Sequence, residues 1–177
     1  VTGPVWSQEF SVASVEELQG AARSIGQRVA AGDLLILTGE LGAGKTTFTQ
    51  GLGRGLGVRE GIISPTFVLV RNHPSLADGP GLVHVDAYRL ESDAEIDDLD
   101  LETTLDSSVT VVEWGSGRVE HLADSWLHIT LVRPAVPPAG GSPAEQAVLS
   151  DDDDEPRHVR IEAYGPRWVD QRLGALV

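Results

Sequence analysis

The sequence predicts an α/β layered fold: a largely parallel sheet flanked by helices, with antiparallel strands toward the C-terminus. Three observations carry this. Short apolar runs rich in Val, Ile and Leu alternate with stretches of helical period. The first such run leads directly into a glycine-rich loop and a further helix. Two segments that alternate apolar and polar residues come last in the chain. With 177 residues, 41% of them hydrophobic, the chain suffices for one domain with a real core and is short for two. A single domain spanning 1–177 is therefore expected.

The elements follow in order. Ser14-Val-Glu-Glu17 is a capping box, in which Ser14 caps free backbone amides while Glu17 reaches back. Leu18, Ala21, Ala22, Ile25 and Val29 then recur at helical spacing, and Gly32 supplies the stop. Asp33-Leu-Leu-Ile-Leu-Thr38 reads as a buried strand. A helix opens near Lys45 and runs to about Gly57. Phe67–Val70, Leu82–Val85 and Val109–Val112 are strand candidates, and the acidic stretch from Ser92 to Asp106 reads as helical. Trp126–Val132 and His158–Ala163 alternate and read as strands. Between these two, residues 134–157 combine a Pro/Gly-rich run with Asp151-Asp-Asp-Asp-Glu155, a composition that buries too little surface to offset ordering. A disordered insertion, an inflated hairpin loop rather than a linker, is expected there, its acidic run a solvated loop.

Composition excludes several functions. Lys+Arg is 13 against Asp+Glu 27, a formal net charge of −14. Such a surface argues against general affinity for nucleic acid or anionic membranes, which need clustered cations. With no cysteine, thiolate metal sites, disulfides and a cysteine nucleophile are ruled out. No apolar run is long enough to span a bilayer, and the first residues lack the pattern of a secretion signal, so the cytoplasm is the expected compartment. Twelve of the basic residues are Arg, and the one Lys is Lys45. Chemistry that needs a lysine must use it.

Gly39-Glu40-Leu41-Gly42-Ala43-Gly44-Lys45-Thr46 matches the pattern G-x-x-x-x-G-K-[ST], the P-loop. Its glycines let a loop wrap a phosphate with amides converging inward, and the following helix points the positive end of its dipole at the same place. Glu40, Leu41, Gly42, Ala43, Gly44, Lys45, Thr46 and Thr47 are thus candidate nucleotide-binding residues. Lys45 reaches the β- and γ-phosphates, and the Thr46 hydroxyl is placed on Mg²⁺. An accidental Gly-rich turn is the competing reading, against which stand the preceding apolar strand and the following helix.

A P-loop site also needs a carboxylate for Mg²⁺ and a group that orients the attacking water. Asp86 ends one apolar run and Glu113 ends another, with Trp114 next. Carboxylates at the C-terminal ends of parallel strands face the crevice that the P-loop faces. Either could instead merely cap a strand. Ser64-Pro65-Thr66-Phe67 lies where many P-loop enzymes keep a γ-phosphate sensor, although an ordinary Pro turn reads similarly. His84, between Val83 and Val85, reads as a paired sheet residue rather than a ligand. Trp114 either covers the nucleotide or fills the core. Guanine-reading loops need a second lysine, so ATP is the expected nucleotide.

Taken in order, Gly-Glu-Leu-Gly-Ala-Gly-Lys-Thr-Thr, Ser-Pro-Thr-Phe, His-Val-Asp-Ala-Tyr-Arg-Leu and Val-Val-Glu-Trp-Gly resemble the TsaE family, bacterial P-loop ATPases of tRNA threonylcarbamoyladenosine biosynthesis. The resemblance runs from about Ser14 to Val132 and resumes near His158. It implies an ATPase that works with TsaB and TsaD, supports turnover of that complex, and meets tRNA only through it. It implies ATP and Mg²⁺ as cofactors, with Lys45 and Thr46 on phosphate and metal and Thr66 in a switch-like loop. Asp86 is then the Mg²⁺-linked acid. Glu113 is the catalytic carboxylate and also a metal residue, with Lys45 catalytic as well and Trp114 in the nucleotide site. Two departures stand out: the 134–157 insertion is longer and more acidic than is usual there, and Gly-Ser-Gly follows Trp114 where an acid is frequent. Competing readings are a P-loop small-molecule kinase, which needs an Arg-bearing lid where this chain carries Asp and Pro, and a nucleotide-gated binding module with negligible turnover.

Overall fold

The computed structural model of the chain describes residues 3–65, 69–134 and 156–176. These form β1 (Trp6–Val12), α1 (Val15–Gly26), β2 (Leu34–Thr38), α2 (Lys45–Leu56), β3 (Val70–His73) and β4 (Gly81–Asp86). There follow α3 (Asp93–Asp97), α4 (Glu102–Leu105), β5 (Ser108–Glu113), β6 (Trp126–Val132) and β7 (Arg157–Tyr164). All seven strands join one sheet in the order β1-β7-β6-β2-β5-β4-β3. The inner strands β6, β2, β5 and β4 run parallel. Antiparallel pairs close both edges, β3 against β4 on one side and β6-β7-β1 on the other.

One face of the sheet buries Leu35, Leu37, Val109, Val111 and Ile129 against α1 and α2, through Leu18, Ile25, Phe48 and Leu52. The other buries Leu34, Ile36, Val83, Val85 and Val112 under Ile96, Leu101 and Val119. Helical cover on both faces is why the central strands read as continuous apolar runs. Among the described residues no helix is long and apolar enough to cross a membrane.

Several expectations need correcting. At α1 the Glu17 amide donates to Ser14 Oγ at 3.1 Å, while the Glu17 carboxylate accepts from Ala13 N at 2.7 Å, just before the cap. The helix then ends at Gly26, well short of Gly32, whose positive φ serves the turn into β2. The acidic stretch forms two short helices, because Asp100 takes a left-handed conformation (φ 55°) that breaks the run. The strand expected at Phe67–Val70 starts only at Val70, since Leu69 has φ 69°; residues 66–68 lie outside the described residues. Strand β1 escapes the sequence reading altogether: its interior is Ser7-Gln8-Glu9, and only Trp6, Phe10 and Val12 mark its inner face. β6 and β7 are antiparallel neighbours, so the insertion does connect a hairpin. Its residues 135–155 lie outside the described residues, and Arg157 belongs to β7.

Helices α1 and α2 cross at a seam of glycines. A Cβ at Gly55 would lie 2.2 Å from the Arg23 carbonyl oxygen, and one at Gly51 2.4 Å from that of Gln19. Two helix backbones approach this closely only without side chains between them. In an open helix, Gly→Ala gains about 1 kcal/mol. Here the forced backbone shift outweighs that gain, at about 1–3 kcal/mol. Gly55→Ala is therefore expected to lower the unfolding midpoint, whereas Gly20→Ala on α1, with nothing within 4 Å of its Cβ, raises or maintains it. Chemical denaturation of both variants checks this.

His73 on β3 is 5% exposed, and neither ring nitrogen has a hydrogen-bond partner among the described residues. Burial lowers its pKa below the ordinary 6.5, helped by His84, Arg59 and Arg71. In the unfolded chain it regains a proton near pH 6.5, and the folded chain does so only at lower pH. Its stability contribution is thus complete above that value and is lost as pH falls through it. The thermal midpoint is expected to drop between pH 7 and 5.5, and His73→Leu to flatten that drop.

Candidate functional site

Parallel pairing decides where the site falls. Glu113 at the end of β5 lies opposite Leu37 of β2 on one side and Asp86 of β4 on the other. The loop following Thr38 therefore leaves the same sheet edge at which both carboxylates end. Gly44 caps α2 at φ 104°, a conformation a side chain resists, and no side chain caps the helix. The first amides of α2 therefore lack a side-chain acceptor at the cap. A cleft of about 450 Å³ opens here, lined by Leu41, Gly42, Gly44, Lys45, Thr46, Thr47, Ser64, Asp86, Tyr88, Glu113 and Trp114.

Lys45 is 7% exposed. Its ammonium donates to the carbonyls of Gly39 (2.6 Å) and Glu40 (3.0 Å) and lies 4.6 Å from the Trp114 ring centroid. Burial pushes its pKa below the ordinary lysine value, while the charges of Glu113 and Asp86 oppose the shift. Asp86, 4% exposed, accepts from the Tyr88 amide at 2.9 Å and from Ser64 Oγ at 3.4 Å. Glu113, 2% exposed, holds the ring of His84 at 3.3 Å from its Oε1. Trp114 takes φ 60°, unusual for a bulky side chain, and its amide donates to Leu37 O at 3.3 Å. The Tyr88 ring meets it at 5.0 Å.

A helix N-terminus without a side-chain cap and a buried ammonium in one cleft suit a polyphosphate. A hydroxyl from Thr46 and carboxylates from Asp86 and Glu113 are hard oxygen donors. They are too few for a complete protein cage, which suits Mg²⁺ shared with phosphate oxygens. Among the described residues no group of three or more His, Cys, Asp or Glu could hold a metal without such help.

Of the residues expected from sequence, Leu41, Gly42, Gly44, Lys45, Thr46, Thr47, Asp86, Glu113 and Trp114 share this cleft. Glu40 and Ala43 line a neighbouring cleft of about 360 Å³ with Trp114 and residues 130–133 of β6 and its end. Thr66 lies outside the described residues. Sequence reasoning missed Tyr88, whose amide is taken by the carboxylate two residues earlier, an Asx turn that Asp-x-Tyr allows. It also missed Arg157. From the start of β7 this guanidinium donates to Ala43 O at 3.1 Å and Gly42 O at 3.4 Å, holding the loop's carbonyls from behind.

Comparison with known proteins agrees with the motifs. A profile of the family described as "Threonylcarbamoyl adenosine biosynthesis protein TsaE" matches residues 12–136. The tRNA threonylcarbamoyladenosine biosynthesis protein TsaE of Streptomyces coelicolor is 49% identical over 159 residues, covering 87% of this chain and 98% of that protein. The protein of the same name from Bacillus subtilis is 39% identical over 120 residues, 67% of this chain and 73% of its own. The crystal structure of YdiB from Bacillus subtilis superimposes with a TM-score of 0.63 at 28% identity, covering 92% of this chain and 89% of that one.

Proposed function

The chain belongs to the TsaE family, and from that premise we propose that it is the ATP-binding and ATP-hydrolysing component of the tRNA threonylcarbamoyladenosine machinery, supporting turnover of a TsaB–TsaD complex in the cytoplasm. One observation carries the ATPase reading: the only lysine of the chain is buried at the head of a phosphate-type loop, in the same cleft as two carboxylates from adjacent parallel strands.

Each residue then has a task. Lys45 binds the β- and γ-phosphates, and the loop from Glu40 to Gly44 with Thr47 surrounds them. Thr46 and Asp86 hold Mg²⁺, with Glu113 beside it; the ion, when bound, neutralises phosphate charge. Glu113 orients and deprotonates water, Trp114 and Tyr88 wall the cleft, and Thr66 belongs to the loop that senses the γ-phosphate. With a net charge of −14, contact with tRNA comes through the partners rather than this chain alone.

The test is phosphate release from ATP by the purified chain, alone and with TsaB and TsaD, with no acceptor added. Release that depends on both partners supports the reading. Transfer to a small-molecule acceptor, with no release to water, would replace it by a kinase.

A further inference from the structure

Resting on the ATPase reading of the cleft, we propose that His84 is a positioning residue for hydrolysis: its Nε2–H fixes the Glu113 carboxylate in the orientation that water activation requires. On β4, His84 stands two residues before Asp86 and therefore on the same face. Its neighbour across the pair to β5 is Val111, two residues before Glu113. The imidazole thus sits diagonally beneath the carboxylate, with Nε2 3.3 Å from Oε1. His84 is fully buried and Glu113 nearly so. The bond occupies Oε1 of a carboxylate that lines the cleft, which leaves Oε2 as the oxygen for water.

Packing does not account for this residue. The Nδ1 of His84 has no partner among the described residues, so among them half of the buried ring's polar capacity is unmet. That costs stability which an apolar side chain of similar size would not. The surrounding sheet face is otherwise filled by Leu82, Val109 and Val111. On the far side of His84, its β3 partner Arg71 keeps a buried Nε without a partner among the described residues, and His73 both ring nitrogens. No described side chain there competes for the imidazole, and the hydrogen bond it makes is directed to Glu113. A glutamate has three rotatable bonds. Tying one oxygen selects a rotamer before the substrate arrives, which is how an outer residue sharpens the action of an inner one.

Two variants of the full chain separate this from a role in folding. His84→Leu keeps apolar volume and removes the donor; His84→Gln returns an amide donor close to the Nε2 position. Both are assayed for ATP hydrolysis with TsaB and TsaD, for ATP binding by calorimetry, and for thermal stability. His84→Leu is expected to lower kcat by about 10–100-fold. KM and Kd for ATP stay within about threefold, the mark of an interaction used in the chemical step rather than in binding. Its melting temperature is unchanged or raised, and His84→Gln recovers most of kcat. Undiminished kcat in His84→Leu overturns the proposal, as does a loss of ATP binding or of stability parallel to the loss of kcat. If the wild-type chain itself releases no phosphate with both partners, the ATPase reading falls first and takes this role with it.

Discussion

Lys45→Ala is expected to remove tight ATP binding and to lower hydrolysis by at least about 100-fold. The residue is the chain's only lysine, so no neighbouring ammonium can move in. Burial already disfavours its charge, and Asp86 and Glu113 oppose that shift. The side chain is also held in place, by the Gly39 and Glu40 carbonyls and under the Trp114 ring. A cation fixed where phosphate charge must be neutralised contributes far more than one in water, because little reorganisation is needed when the ligand arrives. Lys45→Arg should not restore function: the planar guanidinium is larger than the ammonium and cannot place a single point charge between two loop carbonyls. Calorimetry with ATP and Mg²⁺ and a phosphate-release assay decide the matter. Wild-type turnover by Lys45→Ala would remove the phosphate-loop argument entirely.

The sequence was most legible where geometry is local. From Gly39 to Thr46 the conformation is dictated by glycines a few residues apart, and the cleft forms where the motif placed it. Asp86 and Glu113 were legible because each follows an apolar run, and parallel strands must end at one edge. What escaped depends on contacts distant in sequence or on unusual backbone. Arg157 touches the loop from 114 residues away, and nothing near Ala43 announces it. β1 forms because β7 offers its edge, whatever its polar interior suggests. Left-handed Leu69 and Asp100 interrupt elements whose side chains favoured continuation. The reading of His84 as a paired sheet residue described its strand position correctly and overlooked its partner, which is fixed by the diagonal across β4 and β5.

The two carboxylates should separate binding from chemistry. Asp86 is held by the Tyr88 amide and Ser64 Oγ, so its position depends on its loop and not on a ligand. Asp86→Asn keeps the shape and one acceptor oxygen but loses the charge. ATP affinity in Mg²⁺ is expected to fall about tenfold or more, with little change when Mg²⁺ is chelated, since only the metal-linked term needs the carboxylate. Glu113 lies against the ring of His84, deeper at the strand end. The sharper substitution there is Glu113→Gln, because Glu113→Ala would leave the buried His84 with no partner on either nitrogen among the described residues and confound chemistry with stability. A glutamine retains the acceptor oxygen for His84 while losing the basicity needed to take a proton from water. Hydrolysis by Glu113→Gln is expected to fall about 100- to 10,000-fold, the range of general-base catalysis, with ATP binding within about threefold of wild type. Removing either negative charge also withdraws one of the two influences that oppose the lowering of the Lys45 pKa by burial. Weakened binding common to both would therefore trace to Lys45, whereas the chelation-sensitive loss belongs to Asp86 alone. Equal loss of Mg²⁺-dependent binding in the two variants, with hydrolysis falling only in proportion, would show that both carboxylates serve the metal and that the attacking water is oriented by another group.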